Sequence, residues 1–132
     1  NQRQKSFLGV VFHAVDGETY EAVYFRPFNF GSSNPLNRSH GVQYIAHPDW
    51  TWQKLRSQRT GEYESEVKPE TDGTDWFRIR VEIKGDRVMA YVGDAKEPSL
   101  NVKRLSQQKG GKVGLWFNGI AEYRNLKIVP AK

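Results

Sequence analysis

A chain of 132 residues makes one domain, long enough for a hydrophobic core and too short for two. It has no cysteine, which excludes a disulfide or a thiolate metal site, and no run of about 20 apolar residues, which excludes a membrane-crossing helix. Twenty Lys and Arg against 15 Asp and Glu give a net charge of +5, but only Lys103-Arg104 are adjacent basic residues, so no motif points to nucleic acid.

Aromatic content of 13%, 12 glycines and the lack of a long helical pattern predict an all-β domain rich in turns. Residues 7–13 (FLGVVFH) read as a buried strand, followed by a turn at 15–18 built on Asp16-Gly17. Residues 19–26 (TYEAVYFR) form the next strand and end at Pro27. Residues 28–39 (FNFGSSNPLNRS) are a loop, and 41–47 a strand stopped by Pro48. Residues 49–57 (DWTWQKLRS) predict a short helical turn capped by Asp49. A strand at 61–67 and a turn at 69–74 come next.

The clearest strand is 76–84 (WFRIRVEIK), with Phe77, Ile79, Val81 and Ile83 on one face and Arg78, Arg80, Glu82 and Lys84 on the other. Gly85-Asp86 turns the chain into a strand at 87–92, and Glu97-Pro98 breaks it before a strand at 99–105. A loop at 107–111 leads to a final hairpin over 111–130, turning at Asn118-Gly119. In it Val113, Leu115 and Phe117 alternate with Lys112, Gly114 and Trp116, the period of a half-buried strand. Trp76 and Trp116 are predicted core residues. Eight to nine short strands at regular spacing predict a sandwich.

That closing pattern, G-x-V-G-L-W followed by A-x-Y-x-N-L-x-I, resembles the last hairpin of concanavalin A-like, laminin-G-like jelly-roll sandwiches. Residues 20–30 (YEAVYFRPFNF), 42–50 (VQYIAHPDW) and 52–56 (WQKLR) are similar to a group of exported bacterial concanavalin-like proteins. That group is related to a broader family of glycoside or keto-disaccharide hydrolases. The resemblance implies one jelly roll of two antiparallel sheets over residues 1–132, a glycan partner, and a secreted, periplasmic or cell-surface location. Relatives carry at least one further strand before the segment at 6–9, where this chain has only residues 1–5, so the expectation is a sandwich lacking an N-terminal strand, either as a trimmed fragment or with that strand supplied otherwise. Calcium is common in this fold class, but Asp16, Asp72, Asp75 and Asp94 form no ligand loop, and no cofactor is expected.

Strand parity selects the candidate site. His13 shares a strand face with Phe7, Gly9 and Val11; Tyr24 and Arg26 share one with Tyr20 and Ala22; Gln43 shares one with Ile45 and His47. If these strands are neighbours, His13, Tyr24, Arg26 and Gln43 gather on a concave face. Sugars are held by planar polar side chains and by rings that stack on their apolar faces. Arg26 and Gln43 supply the first kind, and Tyr24, Trp50 and Trp52 the second. Arg26 also suits the carboxylate of an acidic glycan. Arg26 anchoring the 28–39 loop, and Trp50 and Trp52 closing one end of the core, are the structural alternatives.

The second function class is a glycoside hydrolase with Glu21 or Glu64 as acid or base. Glu62, Glu64 and Glu66 would line one strand face about 7 Å apart. This triplet lacks the aspartate of the laminarinase-type signature. Glu21 has the parity of Val23 and Phe25, away from Arg26.

Overall fold

The computed structural model describes residues 5–130 and contains eight strands in two antiparallel sheets. Strands β1 (Phe7–Ala14), β2 (Tyr20–Phe25), β3 (Val42–His47), β4 (Glu64–Ser65) and β8 (Lys112–Asn118) form one sheet, in the order β4-β3-β2-β1-β8. Strands β5 (Ile79–Lys84), β6 (Arg87–Val92) and β7 (Leu100–Lys103) form the other, in that order. Two short helices, α1 (Pro35–Arg38) and α2 (Trp52–Gln58), sit in the connections flanking β3. The expected all-β sandwich is therefore what the chain forms.

The alternation of β1, β2 and β3 sorts side chains to two faces. Leu115, Val10, Val23 and Tyr44 lie in one cross-strand row, and Trp116, Gly9, Tyr24 and Gln43 in the next. The first row faces the second sheet: the Tyr44 hydroxyl accepts from the Leu105 N–H just beyond β7, and Phe25 meets Phe77 just before β5. Val23, Phe25, Val42 and Tyr44 are all fully buried, with Val88, Val92 and Leu100 from the other sheet in the same cluster. The second row faces outward and carries the groove described below.

The turn after β1 is as expected. Asp16 Oδ1 accepts from the N–H groups of Glu18 and Thr19, both at 2.8 Å, which closes an Asx turn. The helix cap differs. Thr51, not Asp49, caps α2, its hydroxyl accepting from the Lys54 N–H at 3.2 Å. Ala46 and Trp50 exchange backbone hydrogen bonds, which holds Asp49 in the turn before the cap.

The largest difference lies at the C-terminal end. Gly119 takes the expected positive φ of 96°, but residues 120–130 form no strand, so β8 has no hairpin partner. Val113, Leu115 and Phe117 keep the predicted parity, yet they are 53%, 37% and 62% exposed, because the short second sheet does not cover them. Trp76 lies before β5 rather than in the core and is 47% exposed, with the Arg124 guanidinium 4.0 Å from its ring. The expected strand at 61–67 shrinks to Glu64–Ser65.

Candidate ligand-binding groove on the outer sheet face

The outward row of the large sheet builds a polar floor with aromatic walls. Gln43 is paired in register with Tyr24 on one side and Glu64 on the other. Arg26 directly follows β2 and lies on the face of Tyr24, donating to its hydroxyl. Gly9 lies between Tyr24 and Trp116 in the register, and a Cβ there would sit 2.0 Å from the Val23 carbonyl oxygen. Glycine thus leaves the space over β1 open, and the rings of Tyr24 and Trp116 close over it, stacked at 4.4 Å with 22° between their planes. One strand pair further along, Tyr20 and His47 are register partners and also stack, at 4.9 Å and 17°.

Helix α2 and the segment before β3 supply the rest. Trp52 and Arg56 are four residues apart on α2, hence on one helix face, and the Arg56 guanidinium lies 4.9 Å from the Trp52 ring. Both line a groove of about 1230 Å³ together with Tyr20, Tyr24, Arg26, Phe28, His40, His47 and Trp116.

Polar groups converge on Glu64. Arg56 donates from Nε to Oε2 at 3.0 Å and from Nη2 to Oε1 at 2.8 Å, a bidentate pair. His40 Nδ1 lies 2.5 Å from the same Oε1. Arg26 Nη1 is 3.6 Å from it. Arg26 donates instead to three neutral oxygens: the His40 carbonyl at 3.1 Å, the Tyr24 hydroxyl at 3.0 Å and Gln43 Oε1 at 3.3 Å. Burial pushes the Glu64 carboxyl up, but the Arg56 hydrogen bonds and the charges of Arg56, His40 and Arg26 outweigh it and hold Glu64 below the usual carboxylate range. Burial pushes the Tyr24 phenol up to about 12, and it lowers the Arg26 guanidinium.

Comparison of the chain with protein-family models, with curated proteins and with solved structures finds no match.

Of the six residues selected from the sequence, Tyr24, Arg26 and Gln43 do come together, and Trp52 joins them from α2. Trp50 does not line the groove. It pairs with Ala46 and packs against the core, with Lys54 Nζ 4.4 Å from its ring. His13 lies on the other side of the sheet. The β1–β8 register shifts between Val11 and Ala14, and His13 takes a φ of 51°, which reverses the parity of a regular strand.

There His13 Nδ1 is 2.6 Å from Glu21 Oε2, part of a second cluster between the sheets. Glu21 is fully buried, accepts from the Tyr44 hydroxyl at 2.6 Å and takes a bidentate pair from Arg104 at 3.0 and 2.7 Å. Burial pushes its carboxyl up, and the bonds from Arg104, Tyr44 and His13 bring it back below the ordinary value. Burial and the bond to Glu21 raise the Tyr44 phenol well above its usual range.

Sequence parity missed His40, Arg56 and Trp116. The i,i+4 spacing of Trp52 and Arg56 is a usable signal for the second; no local pattern marks the first. The glutamate triplet is not one carboxylate row: Glu62 pairs with Arg59, Glu64 with Arg56 and Glu66 with Arg38. No group of three His, Cys, Asp or Glu side chains suited to a metal occurs among the described residues. No helix among them is long and apolar enough to cross a membrane.

Proposed function

We propose that the chain is a lectin-like, carbohydrate-binding domain of the concanavalin A-like, laminin-G-like kind, in a secreted, periplasmic or cell-surface bacterial protein. Its outer groove takes an oligo- or polysaccharide. One observation carries this reading: partly exposed aromatic rings and planar hydrogen-bonding groups occur together in one open groove. Trp116, backed by the buried Tyr24 ring, the Tyr20–His47 stack and Trp52 offer flat apolar surfaces for the C–H faces of sugar rings. Arg26, Arg56 and His40 offer donors between them. The volume of about 1230 Å³ exceeds that of a typical small-molecule pocket, which suits a chain of sugar units rather than a single ring.

Binding is favoured over hydrolysis by the carboxylates. Glycosidases flank the scissile bond with two. Here Glu64 is on the groove side and Glu21 between the sheets, and both are already held by arginine in bidentate pairs.

An array of immobilised glycans, probed with the purified chain and with its Trp116→Ala and Trp52→Ala variants, tests the proposal. The expected result is retention of a defined glycan that Trp116→Ala weakens by about tenfold, or ~1.4 kcal/mol. A folded chain that retains no glycan, or variants that bind as the parent does, would refute it.

A further inference from the structure

The charges around Glu64 do not balance, and the imbalance bears on the saccharide. Two guanidinium groups, Arg26 and Arg56, approach a single carboxylate, and the His40 ring takes a position on the same oxygen. Arg56 claims Glu64 in a bidentate pair. Arg26 is left as a cation that is only 6% exposed, whose hydrogen bonds all go to neutral oxygens. A buried charge without its own counter-ion is costly, by several kcal/mol in the general case. Glu64 lies buried beneath the groove, no carboxylate is among the described residues that line it, and Lys5 adds a further cation to that lining. The local charge is thus positive by at least one unit after Glu64 is counted.

Resting on the saccharide reading above, we infer that the bound sugar chain is acidic: it carries carboxylates, as a uronate does, and one of them supplies the missing counter-ion at the Arg26–Arg56 end of the groove. A carboxylate matches a planar guanidinium edge with two parallel hydrogen bonds, and Arg56 spends only Nε and Nη2 on Glu64. The sugar rings attached to that carboxylate then lie against Trp52, which stacks under Arg56, and against the Tyr24–Trp116 pair. Neutral saccharides would leave Arg26 as it is, with aromatic stacking but without charge compensation.

The test uses oligosaccharides of one sugar, linkage and length in three forms: neutral at C6, carboxylated at C6 and sulfated at C6. Each is titrated calorimetrically into the whole chain at low and high salt. The expected result is binding of the carboxylated form at least about tenfold tighter than the neutral one. That advantage shrinks as salt rises and screens the groove. Arg56→Gln removes most of the preference for the carboxylated form over the neutral one. Because Arg56 also holds Glu64, Lys5→Gln is run beside it, with a smaller loss of preference expected and no change in fold. Equal affinity for neutral and carboxylated forms would overturn the inference and leave the saccharide reading standing. Tighter binding of the sulfated form would overturn the assignment of a carboxylate. A folded chain that binds none of the three would overturn both the inference and the reading beneath it.

Discussion

The β2–β3 pair and the β8 edge of the large sheet carry similar side chains on the same face and pack in opposite ways. At β2 and β3, Val23, Phe25, Val42 and Tyr44 are fully buried. At β8, Val113, Leu115 and Phe117 occupy the equivalent parity and are 53%, 37% and 62% exposed. Alternation therefore decides which face a residue takes, and coverage by the second sheet decides whether that face is buried. With three strands against five, the second sheet covers only part of the first.

The sharpest way to break this comparison is a pair of truncations. Phe25→Ala should cost about 3–5 kcal/mol, since a large ring leaves a closed core. Phe117→Ala should cost less than about 0.5 kcal/mol, as an exposed site does. Chemical denaturation measures both, and similar losses would mean that the β8 end is covered after all. Arg104→Ala comes next. It strips a buried carboxylate of its bidentate partner and should cost about 3–5 kcal/mol. Glu62→Gln, at a partly exposed surface pair, should leave the denaturation midpoint nearly where it is.

Acid sharpens the contrast further. Glu21 and Glu64 are both held below the ordinary value of 4.5, so each titrates at lower pH in the folded chain than in the unfolded one. The stability they contribute is fully present above about 4.5 and is lost as pH falls through their folded values. Denaturation midpoints should be flat from neutral pH to about 5 and then fall, and Glu21→Gln should make that fall shallower. A midpoint that rises on acidification would contradict this assignment. The smallest effect is at the helix cap: Thr51→Ala should cost about 1 kcal/mol and Asp49→Ala almost nothing, measured by thermal unfolding.

Legibility in the sequence follows the same division. The period-2 signal of β2 and β3 is strong, because each has one face packed on the core, and it placed Tyr24, Arg26 and Gln43 together. It failed at His13 because a bulge shifts the register by a backbone angle that residue types do not announce. It failed for residues 120–130 because alternation there meets no paired strand. His40 and Arg56 reach the groove from a loop and a helix and meet over Glu64 of a two-residue strand, and no local pattern connects three such elements. The glutamate triplet looked like one acidic face; each member instead finds its own arginine, which is what like charges at close spacing require.

The central claim is that the outer groove, and not the uncovered β8 end, is where a ligand sits. Its most direct test is nitrogen-15 chemical-shift mapping of the whole chain titrated with a carboxylated oligosaccharide, read at the tryptophan indole N–H signals. The account predicts that Trp116 and Trp52 shift with saturable behaviour while Trp76, beside Arg124 and outside the groove lining, stays fixed. Shifts confined to Trp76 and the residues after Asn118, or no shift at any indole, would contradict it.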